Sequence, residues 1–203
     1  MHRRGFLAAL ATALGGRPLV AEAMPDQAAA ASELWTRLRG GGHILLVRHA
    51  ATDPGVGDPP GFRLGQCGTQ RNLSERGRRE AQALGAALRD GGVAVGAVWS
   101  SRWCRCLDTA RLAFGRVEPA PVLDSMFEED GAARRARVAR TLARLAAHPL
   151  DGKAGNLALV THDVNIRALA DESVAPGGIV VARMRGGALA VLGQLPLDSA
   201  PSS

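Results

Sequence analysis

Leu46-Val47-Arg48-His49-Ala50 closes a short apolar run, His43 to Val47, with an arginine and a histidine. A short apolar run without alternation has the length of a strand buried on both faces, the kind found in parallel sheets. The same form recurs twice. Val93 to Trp99 runs into Ser100-Ser101-Arg102-Trp103-Cys104-Arg105, and Leu157 to Val160 runs into Thr161-His162-Asp163. Helical spacing fills the gaps between these strands. Ser74 can cap a helix in which Ala81, Leu84 and Leu88 face inward. A second helix spans about Arg102 to Phe114, and a third, Ala132 to Ala147, points Val138, Leu142 and Leu145 at the core. Strands alternating with helices predict an α/β fold, a three-layer sandwich around a mainly parallel central sheet. Such sheets bind ligands beyond the carboxyl ends of their strands. Arg48-His49, Ser100-Ser101 and Thr161-His162 all fall at that edge.

The flanks complete the pattern. Pro25 to Arg39 reads as an amphipathic helix with Leu34, Trp35 and Leu38 inward. Val117 to Leu123 reads as a weaker strand, interrupted by Pro119 and Pro121. Ile179–Arg183 and Ala188–Leu192 pair as a hairpin around Arg185-Gly186-Gly187. From His49 to Asn72 there is no periodicity, and glycine and proline recur, so this is one long loop. Loops of that length in compact domains are usually functional or disordered.

The chain has 203 residues and a formal charge of +6, with Lys153 its single lysine. The arginines are scattered and tyrosine is absent, so bases would find few aromatic faces, and nucleic-acid binding is not expected. Anionic small molecules remain compatible with the charge. Arg3-Arg4-Gly5-Phe6-Leu7, the apolar run to Leu14 and the small-x-small site Ala21-Glu22-Ala23 read as a secretory signal of twin-arginine type. The run is too short to span a bilayer of about 30 Å. Residues 1–23 are therefore expected to be removed, leaving a 24–203 domain in the periplasm without a membrane span.

Four fragments carry a family resemblance. Arg48-His49-Ala50-Ala51-Thr52 resembles the Arg-His-Gly-x-Thr signature of the histidine phosphatase superfamily, the group with the phosphoglycerate-mutase-like fold. Leu73-Ser74-Glu75-Arg76-Gly77 resembles its Leu-Thr-x-x-Gly helix start. Ser100-Ser101 with Arg105 and Thr109-Ala110 resembles its Ser-Ser-x-x-x-Arg-x-x-x-Thr-Ala stretch, and Val160-Thr161-His162 its late Val-Ser-His. The resemblance implies a phosphatase in which His49 attacks phosphorus and becomes a phosphohistidine that water hydrolyses. It implies Arg48, Arg105 and His162 as ligands of the phosphoryl oxygens, with Thr52 and Ser101 beside them. No cofactor or metal enters that scheme.

Chemistry agrees with these assignments. Imidazole is a nucleophile only when neutral, and neighbouring guanidiniums disfavour its protonated form. Arginine stays charged and offers a planar fork to phosphate. Arg102 lies outside the matched positions and reads as a surface ion-pair residue, while Thr109 and Ser100 read as structural.

The chain departs from the family at two places. Ala50 replaces the usual glycine, and Ser125 stands where the family's Leu-x-Glu places its acid. Glu128, Asp124 and Glu129 are the nearby substitutes, with Glu128 favoured because a loop could fold it back over the site. Cys67 lies in the long loop, and Cys104 and Cys106 flank Arg105. Helical positions two apart diverge by about 200°, so only one of the pair can reach Cys67. A bridge and three buried thiols both remain open. The favoured activity is hydrolysis of a small phosphate ester. The alternatives are a catalytically weak phosphate-ligand binding protein and a phosphohistidine or phosphoprotein phosphatase.

Overall fold

The structure is a computed structural model that describes residues 25–197, so the expected export segment, residues 1–23, lies outside the described residues. Among the described residues five α-helices alternate with strands until a final β-hairpin: α1 Pro25–Arg39, β1 Ile44–Arg48, α2 Glu75–Asp90, β2 Val95–Ser100, α3 Cys104–Phe114, β3 Glu118–Pro119, α4 Gly131–Ala146, β4 Asn156–Thr161, α5 Asp163–Ala170, β5 Ile179–Arg185 and β6 Ala188–Gln194. The strands form one sheet in the order β3-β2-β4-β1-β5-β6. The first four strands of that order are mutually parallel, and β5 and β6 run antiparallel as a hairpin.

The side-chain alternation of β1 divides the core. Leu45 and Val47 face a layer built from Leu34, Trp35 and Leu38 of α1, Leu84 and Leu88 of α2, and Ala110 and Ala113 of α3. Ile44 and Leu46 face the opposite layer, with Leu145 of α4 and Ile166 of α5. Successive strand residues point to opposite faces, so a strand covered on both sides must be apolar throughout, as Ile44 to Val47 is. The expected three-layer sandwich is therefore the observed one. None of the helices is long and apolar enough to cross a membrane among the described residues.

Two close approaches fix the helices that frame the site. A Cβ on Gly77 would sit 1.9 Å from the carbonyl oxygen of Ala51, and one on Gly85 would sit 2.0 Å from that of Ala113. Glycine at both positions lets α2 rest directly on the backbone that follows β1 and on α3. Ser74 caps α2 as expected, its hydroxyl accepting from the Gly77 amide at 3.1 Å.

Two expectations are corrected. The strand expected over Val117–Leu123 is only Glu118–Pro119, followed by a 3-10 turn at Pro121–Leu123. Pro119 and Pro121 lack the amide donors a longer ladder requires. The sequence pattern marks no helix where α5 forms. Its eight residues are too few for a periodic pattern to declare itself. It ends at Asp171, which adopts the left-handed conformation with φ of 56°.

Candidate active site

The carboxyl ends of β1, β2 and β4 lie side by side and position the histidines. The His49 amide donates to Thr161 O at 2.9 Å, and the Ser101 amide donates to Val160 O at 2.9 Å. Thr109 Oγ1 accepts from the Ala50 amide at 3.0 Å and donates to Arg105 O at 2.7 Å. Thr109 is structural, as read from the sequence, and it bolts the loop after β1 to α3. His49 Nδ1 lies 2.9 Å from Ala50 O. A carbonyl only accepts, so Nδ1 carries the ring proton and Nε2 keeps its lone pair. Burial, opposed by the Ala50 contact and aided by Arg105, Arg48 and Arg71, holds the His49 pKa down to about 3. Burial thus outweighs the guanidiniums that the sequence alone suggested as the cause.

His162 follows β4, with its ring centroid 5.5 Å from that of His49 in an edge-on arrangement. Its Nε2 lies 3.0 Å from Ser101 Oγ and 3.5 Å from Cys106 Sγ. The Ser101 hydroxyl donates to Asp124 Oδ1 at 3.4 Å, which links His162 to that carboxylate. Burial, then Arg105 and His49, hold the pKa of His162 well below its ordinary value. Both imidazoles are neutral at physiological pH.

Arg48 donates to Val174 O at 2.7 Å and lies 3.7 Å from Asp163. Arg105 is almost wholly buried, and its NH1 donates to both oxygens of Asp58 at 3.0 and 3.2 Å. Its guanidinium also stacks over the Trp103 ring at 4.4 Å. Arg48, His49, Arg105 and His162 all line one cavity of about 550 Å³. Ser125 and Glu128 line it too.

The candidate carboxyls separate clearly. Asp124 is buried and accepts from Arg102 through Nε, NH2 and the backbone amide at 2.8, 2.5 and 2.8 Å. It follows the 3-10 turn rather than a strand, and Arg102 takes up its carboxylate. Arg102 is an ion-pair residue, in keeping with its place outside the matched motif positions. Glu129 is bound by Arg137. Glu128 alone of the three reaches the cavity, where its side chain is exposed. Two expected ligands do not line it. Thr52 instead pairs with Leu73 in an isolated antiparallel bridge at the base of the long loop. Ser101 is buried behind His162.

The long loop supplies what sequence reading missed. Asp58, Phe62 and Arg71 also line the cavity. Asp58 accepts from the Arg71 amide at 3.0 Å as well as from Arg105, and Phe62 stacks on Trp103 with centroids 4.5 Å apart. Nothing periodic marks these residues, and only the long loop's position beside the Arg-His motif could have drawn attention to them. Cys67 is disulfide-bonded to Cys104, the first residue of α3, and Cys106 is a buried free thiol. Gln70 Oε1 accepts from the Cys104 amide at 2.9 Å beside that bond.

Residues 44–130 match the model of the histidine phosphatase superfamily (branch 1). Among curated proteins, no significant match was found. Among solved structures, the chain resembles the alpha-ribazole phosphatase of Shigella flexneri, with 20% identity, a TM-score of 0.55, and coverage of 76% of this chain and 96% of that one. It also resembles the phosphoserine phosphatase of Entamoeba histolytica in complex with 3-phosphoglyceric acid, with 16% identity, a TM-score of 0.55, and coverage of 78% and 99%. A third likeness is the phosphoglycerate mutase of Bacillus anthracis str. Sterne, with 14% identity, a TM-score of 0.56, and coverage of 80% and 97%. At these identities the three likenesses are of fold.

Proposed function

From the match of residues 44–130 to the histidine phosphatase superfamily we propose that the chain belongs to that family and hydrolyses a small phosphate monoester through a phosphohistidine on His49. The observation that carries this reading is the unpartnered, unprotonated Nε2 of His49 in a cavity also lined by Arg48, Arg105 and His162. In the first step the Nε2 lone pair forms an N–P bond as the P–O bond to the leaving alcohol breaks. The leaving oxygen takes a proton from Glu128. In the second step water attacks phosphorus and gives its proton to the Glu128 carboxylate. The N–P bond breaks, releasing phosphate and neutral His49. Arg48, Arg105 and His162 stabilise the charge on the terminal oxygens, where catalysis of phosphoryl transfer chiefly arises.

Replacing His49 by Ala should abolish turnover, and rapid-quench labelling of the native protein should place acid-labile, base-stable phosphate on His49. Full activity in the variant would refute the assignment. Arg48→Ala, Arg105→Ala and His162→Ala should each cost about 3–4 kcal/mol in kcat/KM, by analogy with lost oxyanion donors. An aryl leaving group needs little protonation, so Glu128→Gln should depress alkyl phosphate hydrolysis far more than aryl phosphate hydrolysis. The binding-protein alternative draws on Ser125 at the family's acid position. Absence of any aryl phosphate turnover would favour it.

From Arg3-Arg4 and the Ala21-Glu22-Ala23 site we also propose that the mature protein, residues 24–203, works in the periplasm after twin-arginine export. A disulfide beside the cavity suits an oxidising compartment and supports this. N-terminal sequencing of exported protein should begin at or near Met24, and Lys at both Arg3 and Arg4 should block export.

A further inference from the structure

We propose that Arg71 is a third phosphate-binding guanidinium of this site, contacting the phosphoryl group itself; the proposal rests on reading the cavity as a phosphate site. Arg71 lies in the long loop, outside every motif that carries the family resemblance. It lines the same cavity as Arg48 and Arg105. Three positive groups are thus gathered where like charges repel. Burial, then Arg105, lower the Arg71 pKa, with Asp58 opposing and Arg48 adding to the effect.

The hydrogen-bond inventory shows what this gathering lacks. Asp58 hydrogen-bonds Arg105 and the backbone amide of Arg71, and not the Arg71 side chain. Arg48 has Asp163 at 3.7 Å, and Arg105 has Asp58 at 3.0 Å. Among the described residues no carboxylate forms an ion pair with Arg71, whose one side-chain bond is from NH1 to Val56 O at 2.9 Å. The Nε–H groups of Arg48, Arg71 and Arg105 are all buried without a protein partner. Three guanidiniums line this one cavity and one of them has no carboxylate partner, an excess of positive charge that an anion with several oxygens would offset. A phosphoryl group presents three terminal oxygens and meets that need.

The placement of Arg71 is also built rather than incidental. Its carbonyl accepts from Arg105 NH1 at 3.3 Å, and Asp58 bridges its amide to the same nitrogen. The neighbouring Gln70 and the Cys67–Cys104 bond tie this segment to the first turn of α3. The loop thereby holds Arg71 in register with Arg105 before any ligand arrives, which lowers the ordering cost of binding.

The test uses inorganic phosphate, which has no leaving group, and calorimetric titration of the oxidised protein. Arg71→Gln should raise the Kd for phosphate at least about tenfold, the scale of a lost charged hydrogen bond. An unchanged Kd would overturn the proposal and leave Arg71 as a brace for Val56. Failure of the wild-type protein to bind phosphate would instead overturn the reading of the cavity, and this proposal with it. A second measurement needs no variant. Phenylglyoxal labelling of the native protein, mapped by peptide mass, should be slowed by phosphate at Arg71 and Arg48 but not at exposed Arg183 of β5. Protection of Arg48 without protection of Arg71 would overturn the proposal even where Arg71→Gln fails to fold.

Discussion

Acid should destabilise this fold before its carboxylates titrate, and His49 supplies a measurable share of the effect. The folded protein holds the pKa of this imidazole down to about 3, against 6.5 for the free side chain, chiefly because it is buried. Between those values the unfolded chain binds a proton that the folded chain refuses. Stability therefore rises with pH across this window and is lost as pH falls below the unfolded value. Lowering pH from about 7.5 to about 5.5 moves the unfolded histidine from mostly neutral to mostly charged, which costs about 1.4 kcal/mol at this one site. His162, also held neutral by burial, adds a loss of the same sign. Urea titrations at the two pH values give the total for the wild type. His49→Asn keeps a donor for Ala50 O and removes the ionisable ring, so its pH-dependent loss should be smaller by about 1.4 kcal/mol. Equal losses in both proteins would refute the argument that burial keeps the ring neutral. The same reasoning requires that His49 stay a competent nucleophile at the lower pH, so loss of its neutral form should not set the acid limb of kcat/KM near 6.5.

Other consequences are simpler to state. Replacing Cys67 and Cys104 by Ser opens a loop of sequence separation 37 and should lower unfolding stability by about 3–4 kcal/mol, read from denaturant titration. Gly85→Ala would drive a Cβ to 2.0 Å from Ala113 O and should cost about 1–3 kcal/mol as α2 and α3 part. An unchanged Tm would contradict that close approach. Ser101→Ala removes the hydroxyl that orients His162, so kcat should fall about fivefold with KM little changed, and Ser101→Thr should restore it. A matching fall in both variants would mean that the hydroxyl acts through packing alone.

The legible parts of the molecule are those written in local pattern. His43 to Val47, Val93 to Trp99 and Leu157 to Val160 announce strands, and the polar residues after them bring His49, Ser101 and His162 to one edge. Arg48 and Arg105 follow from the same motifs. The long loop is different, because its conformation depends on distant partners. Asp58 reaches Arg105 across 47 positions, and Arg71 enters the cavity on a segment held by Cys104. No periodicity encodes such returns. The substitutes for the family's acid were equally ambiguous in sequence. Asp124, Glu128 and Glu129 fall within six residues, and what separates them is which arginine each one meets. Arg102 and Arg137 remove two of the three from the cavity.

Cys106 lends itself to a use unrelated to catalysis. It is fully buried beside His162, and burial pushes its thiol up to about 12. With Cys67 and Cys104 joined, no other thiol is present in the chain. A thiol-reactive dye added to the oxidised native protein should therefore react only when α3 separates from β4. The labelling rate is then an intrinsic clock for that opening. Run with and without phosphate, it reports how strongly an anion in the cavity holds the two elements together, in a protein with no tag, no variant and no turnover.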